Sequence, residues 1–333
     1  MLESISPQEA VNYYLRNRAD EVSNETHRKH GDRLKQFVIW CNQEDYTDLN
    51  DLTGRDLLKF KEWRGEDIKP ITLKNNLWTL KKFLRFCEDI DAVPPGISEK
   101  VLIPQTDREE ESRDVYVSKK EADAILAHLE KFEYASLRHT IFITLWKTGI
   151  RSGTLRSLDL EDYQPNIPAL SIEHRAKSGT PLKNKHRGER EIHLSDETAQ
   201  VLTDYIEYTR PDVTDDFGRS PLFAGRTTRA GKTVIQRNIY TATRPCFYTG
   251  ECPHDRDLDD CKATNYSTAS KCPSSKSPHT LRRGYITAAL NAGQPVDITA
   301  ERTNVSREVL DKNYDARTQS EKRKIRQRFL EDI

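Results

Sequence analysis

Thr148-Gly149-Ile150-Arg151-Ser152-Gly153-Thr154-Leu155-Arg156-Ser157-Leu158 sets an arginine directly after a glycine turn. The turn closes a strongly apolar segment, residues 137–147, that reads as a buried helix. Such a turn can hold Arg151 near a buried cleft. Downstream, Pro278-His279-Thr280-Leu281-Arg282-Arg283 opens another helix, which carries Ile286, Ala289 and Leu290. His279 and Arg282, three apart, share one face of its first turn. The N-terminus of that helix adds its own preference for an anion.

Between these islands, Leu170-Ser171-Ile172 and Glu191-Ile192-His193-Leu194 alternate as two strands of a small sheet. The loop they bracket contains Arg175, Lys177, Lys183, Lys185, Arg187 and Arg190 against one acid, Glu189. Clustered Lys and Arg supply the sequence-independent part of nucleic-acid affinity. Taken alone, the loop reads more simply as a solvated charged hairpin. The last island is Asn304-Val305-Ser306-Arg307-Glu308-Val309-Leu310-Asp311-Lys312-Asn313-Tyr314, in which nothing local isolates Tyr314 from twelve other tyrosines.

The first hundred residues read as helices. Ser6-Pro7-Gln8-Glu9 has capping-box spacing with Pro at the first helical position. Leu34, Phe37, Val38 and Cys41 mark the buried face of a helix over residues 24–41, and a shorter one follows at 55–63. After Pro70, Leu73, Leu77, Leu80 and Leu84 form one stripe while Lys74, Lys81 and Arg85 form another, suited to phosphate. Val93-Pro94-Pro95-Gly96 then opens an aperiodic, mixed-charge stretch. The expected organisation is a helical domain over residues 1–95, a linker over 96–114 and a larger domain over 115–333, mainly α with a small antiparallel β-sheet.

The 333 residues are 35% hydrophobic and 32% charged, and 53 basic residues balance 53 acidic ones. No apolar run reaches the roughly 20 residues needed to span a bilayer. The opening Met1-Leu2-Glu3-Ser4 lacks the basic and apolar regions of a secretory signal, so a cytoplasmic location and no membrane partner are expected. Cys246, Cys252, Cys261 and Cys272 fall in a polar insertion over residues 245–276 with the spacing C-x5-C-x8-C-x10-C. A structural zinc, free thiols and a disulfide pair are the three readings of that insertion. Cys41 and Cys87 sit on apolar helix faces and read as core.

The ordered set T-G-I-R, basic β-hairpin, H-T-L-R and downstream tyrosine resembles the tyrosine recombinase, or phage integrase, family, and its archaeal and archaeal-virus members in particular. The resemblance covers nearly the whole chain. It implies a SAM-like core-binding domain followed by an α+β catalytic domain. By position, Arg151 matches the arginine of the family's T-G-x-R box, His279 and Arg282 its H-x-L-R box, and Tyr314 its nucleophile. Counting back from strand residues 189–194 gives Lys185 as the hairpin lysine, with Lys183 second. Arg187, Lys74, Lys81 and Arg85 are the expected DNA contacts.

The resemblance implies cleavage and rejoining of DNA through a 3′-phosphotyrosyl bond, by a tetramer on double-stranded DNA. Accessory DNA-bending proteins are compatible with it, and catalysis needs no cofactor. Arginines suit this chemistry because their planar, permanently charged forks match phosphoryl oxygens. A phenol ordinarily holds its proton to about pH 10, so Tyr314 must lose one as it attacks, and His279 is the candidate base. Two departures stand out. The family's usual L-G-H before the nucleophile reads Thr303-Asn304-Val305, where Asn304 is a candidate phosphoryl hydrogen-bond donor. The acid expected three residues after the first arginine is Thr154. An integrase-fold DNA-binding architectural or regulatory protein without turnover, and a type IB topoisomerase-like enzyme, are the alternatives.

Overall fold

The computed structural model describes residues 3–105, 115–315 and 317–331, without the side chains at 312–313 and 328–331. Of the linker expected over 96–114, residues 106–114 lie outside these residues and 96–105 within them. The chain divides into two compact units, Met1–Arg113 and Asp114–Ile333.

In the first unit, α1 (Pro7–Arg18), α2 (Asn24–Gln43), α3 (Gly54–Gly65) and α4 (Pro70–Asp89) stand where sequence periodicity places helices. Their starts are local. The Ser6 and Ser23 hydroxyls accept from the Glu9 and Thr26 amides, and Thr53 and Asp56 form a reciprocal capping box. Tyr14, Leu34, Phe37, Trp40, Phe60, Leu77 and Phe83 fill the core, with Phe37 edge-on to Phe60 at 5.3 Å between ring centroids. Ile97 and Val101 join the same core, so the chain beyond α4 packs back onto the helices.

The second unit is built round α6 (Leu137–Thr148), which follows α5 (Lys119–Phe132). Ile141, Phe142, Ile143, Leu145 and Trp146 are all buried, so α6 is covered on every side. The short α7 (Ser152–Ser157) leads into a three-stranded antiparallel sheet: β1 (Tyr163–Gln164), β2 (Ala169–Ile172) and β3 (Arg190–His193), in that order. Leu170 pairs with Ile192 and Ile172 with Arg190. Below the hairpin, buried Asp159 and Asp215 pair with Arg229 and Arg219, and Arg175 bridges Asp159 and Asp162.

The remaining helices are α8 (Asp196–Asp204), α9 (Lys232–Ala242), α10 (Pro245–Thr249), α11 (Pro278–Asn291), α12 (Val296–Thr303), α13 (Arg307–Asn313) and α14 (Gln319–Glu331). The fold is predominantly helical with a small antiparallel sheet, as the sequence pattern indicates. Among the described residues no helix is long and apolar enough to cross a membrane.

Candidate active site

Gly149 ends α6 in the left-handed conformation, with φ of 64°, and its amide donates to the Leu145 carbonyl at 2.9 Å. A Cβ there would lie 2.2 Å from Cδ1 of Tyr285 on α11. Only glycine gives both the left-handed turn and this approach of two helices. The turn delivers Arg151 as the N-cap of α7, and its carbonyl accepts from the Leu155 amide at 2.9 Å.

Arg282 enters the same corner from the first turn of α11. It is 1% exposed, and its Nη1 donates to the Gly149 carbonyl at 2.6 Å. Its Nε and Nη2 are buried without a partner. A buried unsatisfied donor costs about 1–3 kcal/mol, more when charged, and an anion relieves that cost. Burial, and after it the charge of Arg151, pushes the guanidinium pKa down to about 10. It remains a cation at neutral pH.

Tyr314 closes α13 and is packed with Ile286, Leu290, Ala300, Val305 and Leu310. Its ring centroid lies 5.3 Å from the Arg282 guanidinium carbon and 5.4 Å from the His279 ring. Its carbonyl accepts from the Thr287 hydroxyl on α11 at 3.2 Å. His279 keeps an exposed edge, while desolvation on its inner side, followed by the charges of Arg282, Arg151, Lys183 and Arg283, lowers its pKa. The imidazole is therefore held neutral beside the phenol, the form a proton acceptor requires.

Of the two hairpin lysines, Lys183 is the one whose charge is felt at His279. Lys185 has a positive φ of 51° and opens a short 3₁₀ turn, Lys185–Gly188, that also carries exposed Arg187. Asn304 is left-handed, with φ of 52°, and its carbonyl accepts from Arg151 Nη1 at 3.0 Å. Its side-chain oxygen accepts from Asn184 Nδ2 at 2.9 Å. Val305, next to it, is buried in the Tyr314 cluster.

Two further arginines belong to this corner. Arg190 on β3 donates through Nε to the Arg302 carbonyl at 3.0 Å and through Nη1 to the Gly188 carbonyl at 2.7 Å. Burial, then the charges of Arg282, Arg151 and Arg302, brings its pKa to about 10. A signal for it exists in the sequence, since Arg190 is two residues from Ile192 and shares its inward strand face. Arg302 carries no comparable signal; a basic residue in the last turn of a helix is commonplace.

Among the described residues no group of three or more His, Cys, Asp or Glu is arranged to hold a metal ion. All four cysteines of the insertion are free, and Cys246 is within electrostatic reach of Cys252 and Cys272. Cys261 lies instead with the backbone of Ala263 and with Arg256, which lower its pKa. The α4 stripe is likewise reshaped. Lys81 pairs with Glu99 at 2.6 Å, and the exposed line runs through Asn75, Trp78, Lys82 and Arg85.

The chain is similar in structure to the Tn1549 transposon integrase solved with a circular-intermediate DNA. The TM-score is 0.69 at 14% identity, over 98% of this chain and 100% of that one. Against a lambda integrase tetramer bound to a Holliday junction the TM-score is 0.66 at 12% identity, over 95% of this chain and 80% of that one. The N-terminal domain of a phage integrase/site-specific recombinase from Haloarcula marismortui matches at 36% identity and a TM-score of 0.30, over 31% of this chain and 99% of that one. No protein-family model and no curated protein matches the chain.

Proposed function

We propose that this chain, whose fold is that of the tyrosine recombinases and phage integrases, is a DNA strand transferase that cleaves and rejoins duplex DNA through Tyr314. The observation that carries this reading is the corner where Tyr314 and His279 meet a buried arginine with two unpartnered nitrogens. In the first step the Tyr314 oxygen bonds to phosphorus and the bond from phosphorus to the 5′-oxygen breaks. His279 takes the phenol proton, and Lys183 gives one to the departing 5′-oxygen. Arg151 and Arg282 stabilise the charge on the non-bridging oxygens. Attack by the 5′-hydroxyl of a second strand reverses the step and joins the strands. The phosphotyrosyl ester conserves the bond energy, so the reaction consumes no nucleotide.

On DNA the enzyme works as a tetramer, and the exposed basic face of α4 meets phosphate. The proposed steps use no catalytic metal, and the cysteine insertion is left without a zinc assignment. The test is covalent capture from a pool of nicked suicide duplexes with randomised cores, using the wild-type chain and Tyr314→Phe. An SDS-resistant adduct that is lost in Tyr314→Phe is the expected result. Sequence-selective binding with no adduct would overturn the enzyme reading and assign the architectural one. Relaxation of supercoiled DNA without site preference would assign the topoisomerase-like one.

A further inference from the structure

Four guanidinium groups converge on this corner, and what holds them is unusual for so concentrated a charge. Arg282 is held by the Gly149 carbonyl, Arg151 by that of Asn304, and Arg190 by those of Gly188 and Arg302. Arg302 donates through Nη2 to the carbonyls of His193 at 2.8 Å and Lys147 at 3.2 Å, and through Nε to the Tyr285 hydroxyl at 3.0 Å. Every one of these acceptors is an uncharged oxygen. A carbonyl fixes the direction of a guanidinium without cancelling its charge, whereas a carboxylate does both.

Five of these seven bonds meet on residues 302–304, the end of α12. Arg302 ties that end to α6, β3 and α11, while its own carbonyl receives Arg190 and the Asn304 carbonyl receives Arg151. The next helix is α13, which ends at Tyr314. The left-handed conformation of Asn304 both stops α12 and aims its carbonyl, so the segment couples the arginines to the helix that carries the tyrosine.

We propose that Arg302 is a positioning residue for the Tyr314 reaction, and that the carbonyls of Arg302 and Asn304 orient Arg190 and Arg151 in place of an acidic side chain. The inference rests on the reading of Tyr314 as nucleophile. It also changes the part of Asn304: its backbone conformation is what matters, and its side-chain amide is not the phosphoryl donor.

The experiment measures the single-turnover rate of adduct formation and, separately, the Kd for the same duplex, in the full-length chain. Arg302→Ala is expected to slow the rate by at least about tenfold while Kd changes less than about threefold. Arg302→Lys, which can still donate to one carbonyl, restores part of the rate. Asn304→Gly, free to adopt the left-handed turn, keeps the rate within about threefold, and Asn304→Val, which resists positive φ, loses it. Wild-type rates in both Arg302→Ala and Asn304→Val would overturn the inference while leaving the Tyr314 reading intact. Loss of rate in Asn304→Gly with its melting temperature unchanged would overturn the backbone role. Equal losses in rate, Kd and melting temperature for Arg302→Ala would show a merely structural residue. A wild-type chain that forms no adduct at all overturns both readings together.

Discussion

The guanidinium carbon of Arg282 stands 5.3 Å from the ring centroid of Tyr314, although 31 intervening residues fold into the end of α11, α12 and α13. The contact places a cation against the proposed nucleophile where Arg282 is 1% and Tyr314 6% exposed. Two buried nitrogens of Arg282 make no hydrogen bond of ordinary geometry, and the Tyr314 side chain is the group beside them. Arg282→Lys, which keeps a charge and loses the fork, is therefore expected to reduce adduct formation by about 100-fold or more, with little change in DNA affinity. Single-turnover cleavage on the captured duplex measures this, and a loss under threefold would remove Arg282 from the reacting centre.

The pH dependence follows from His279. Desolvation and then four neighbouring cations move its pKa below 6.5. The ring accepts a proton only when neutral, so cleavage should hold its rate down through pH 6.5 and decline only in more acid solution. The same sign applies to stability, because the folded state disfavours the charged ring and loses stability as acid forces it on. His279→Gln should remove the acid limb of the rate profile. A limb centred above pH 6.5 in the wild-type chain contradicts this assignment.

The two hairpin lysines separate by one chemical test. Lys183→Ala should slow cleavage by about 100-fold and Lys185→Ala by no more than about threefold. A substrate with sulfur in place of the bridging 5′-oxygen leaves without a proton, so it should react almost equally well with Lys183→Ala and wild type. Failure of sulfur to rescue Lys183→Ala would deny that residue the role of acid.

Gly149 and Gly153 differ sharply despite lying four residues apart. At Gly149, alanine meets Tyr285 at 2.2 Å and must take φ of 64°. The expected cost is about 3 kcal/mol, from left-handed strain and overpacking together. At Gly153 a Cβ meets nothing within 4 Å, and alanine in α7 should stabilise by about 0.5–1 kcal/mol. Thermal melting of the two variants checks the contrast, and equal melting temperatures would contradict it.

On α4, Trp78 is 46% exposed beside Lys82 and Arg85, and residues 70–87 contain no acid. Lys82→Ala should lower DNA affinity and reduce the slope of log K against log salt by about 1. Trp78→Ala should weaken binding with the slope unchanged, since an apolar contact releases no counterion. Titration at several salt concentrations distinguishes them. A slope unaffected by Lys82→Ala would move the DNA contact off this face.

The architecture was largely readable because its signals are local. The cap at Ser6, the proline at position 70 and the apolar run of α6 act within one or two helical turns, and each helix formed where they fall. The strands around Leu170 and Ile192 were legible from alternation, whereas the two-residue β1 is too short to show any. Arg151, His279, Arg282 and Tyr314 were legible as motifs in order, and the structure gathers His279, Arg282 and Tyr314 at one corner with Arg151 in electrostatic range of both His279 and Arg282. The four cysteines gave a spacing that admits zinc, but a spacing fixes no direction in which the thiols point.

By itself, the sequence determined where the main helices run, which apolar faces pack and which side chains can do chemistry, because propensity, periodicity and residue type are properties of short stretches. Only the tertiary structure showed that the charge of Lys183 bears on His279, and which stripe of α4 faces water. It alone also revealed that carbonyls of Gly149, Gly188, Arg302 and Asn304 hold the arginines. Every residue but the last carries a carbonyl, so no sequence pattern marks the ones that matter. Their selection comes from turns at Gly149 and Asn304 that aim them, and from the packing of α11 and α12 that brings the arginines within reach.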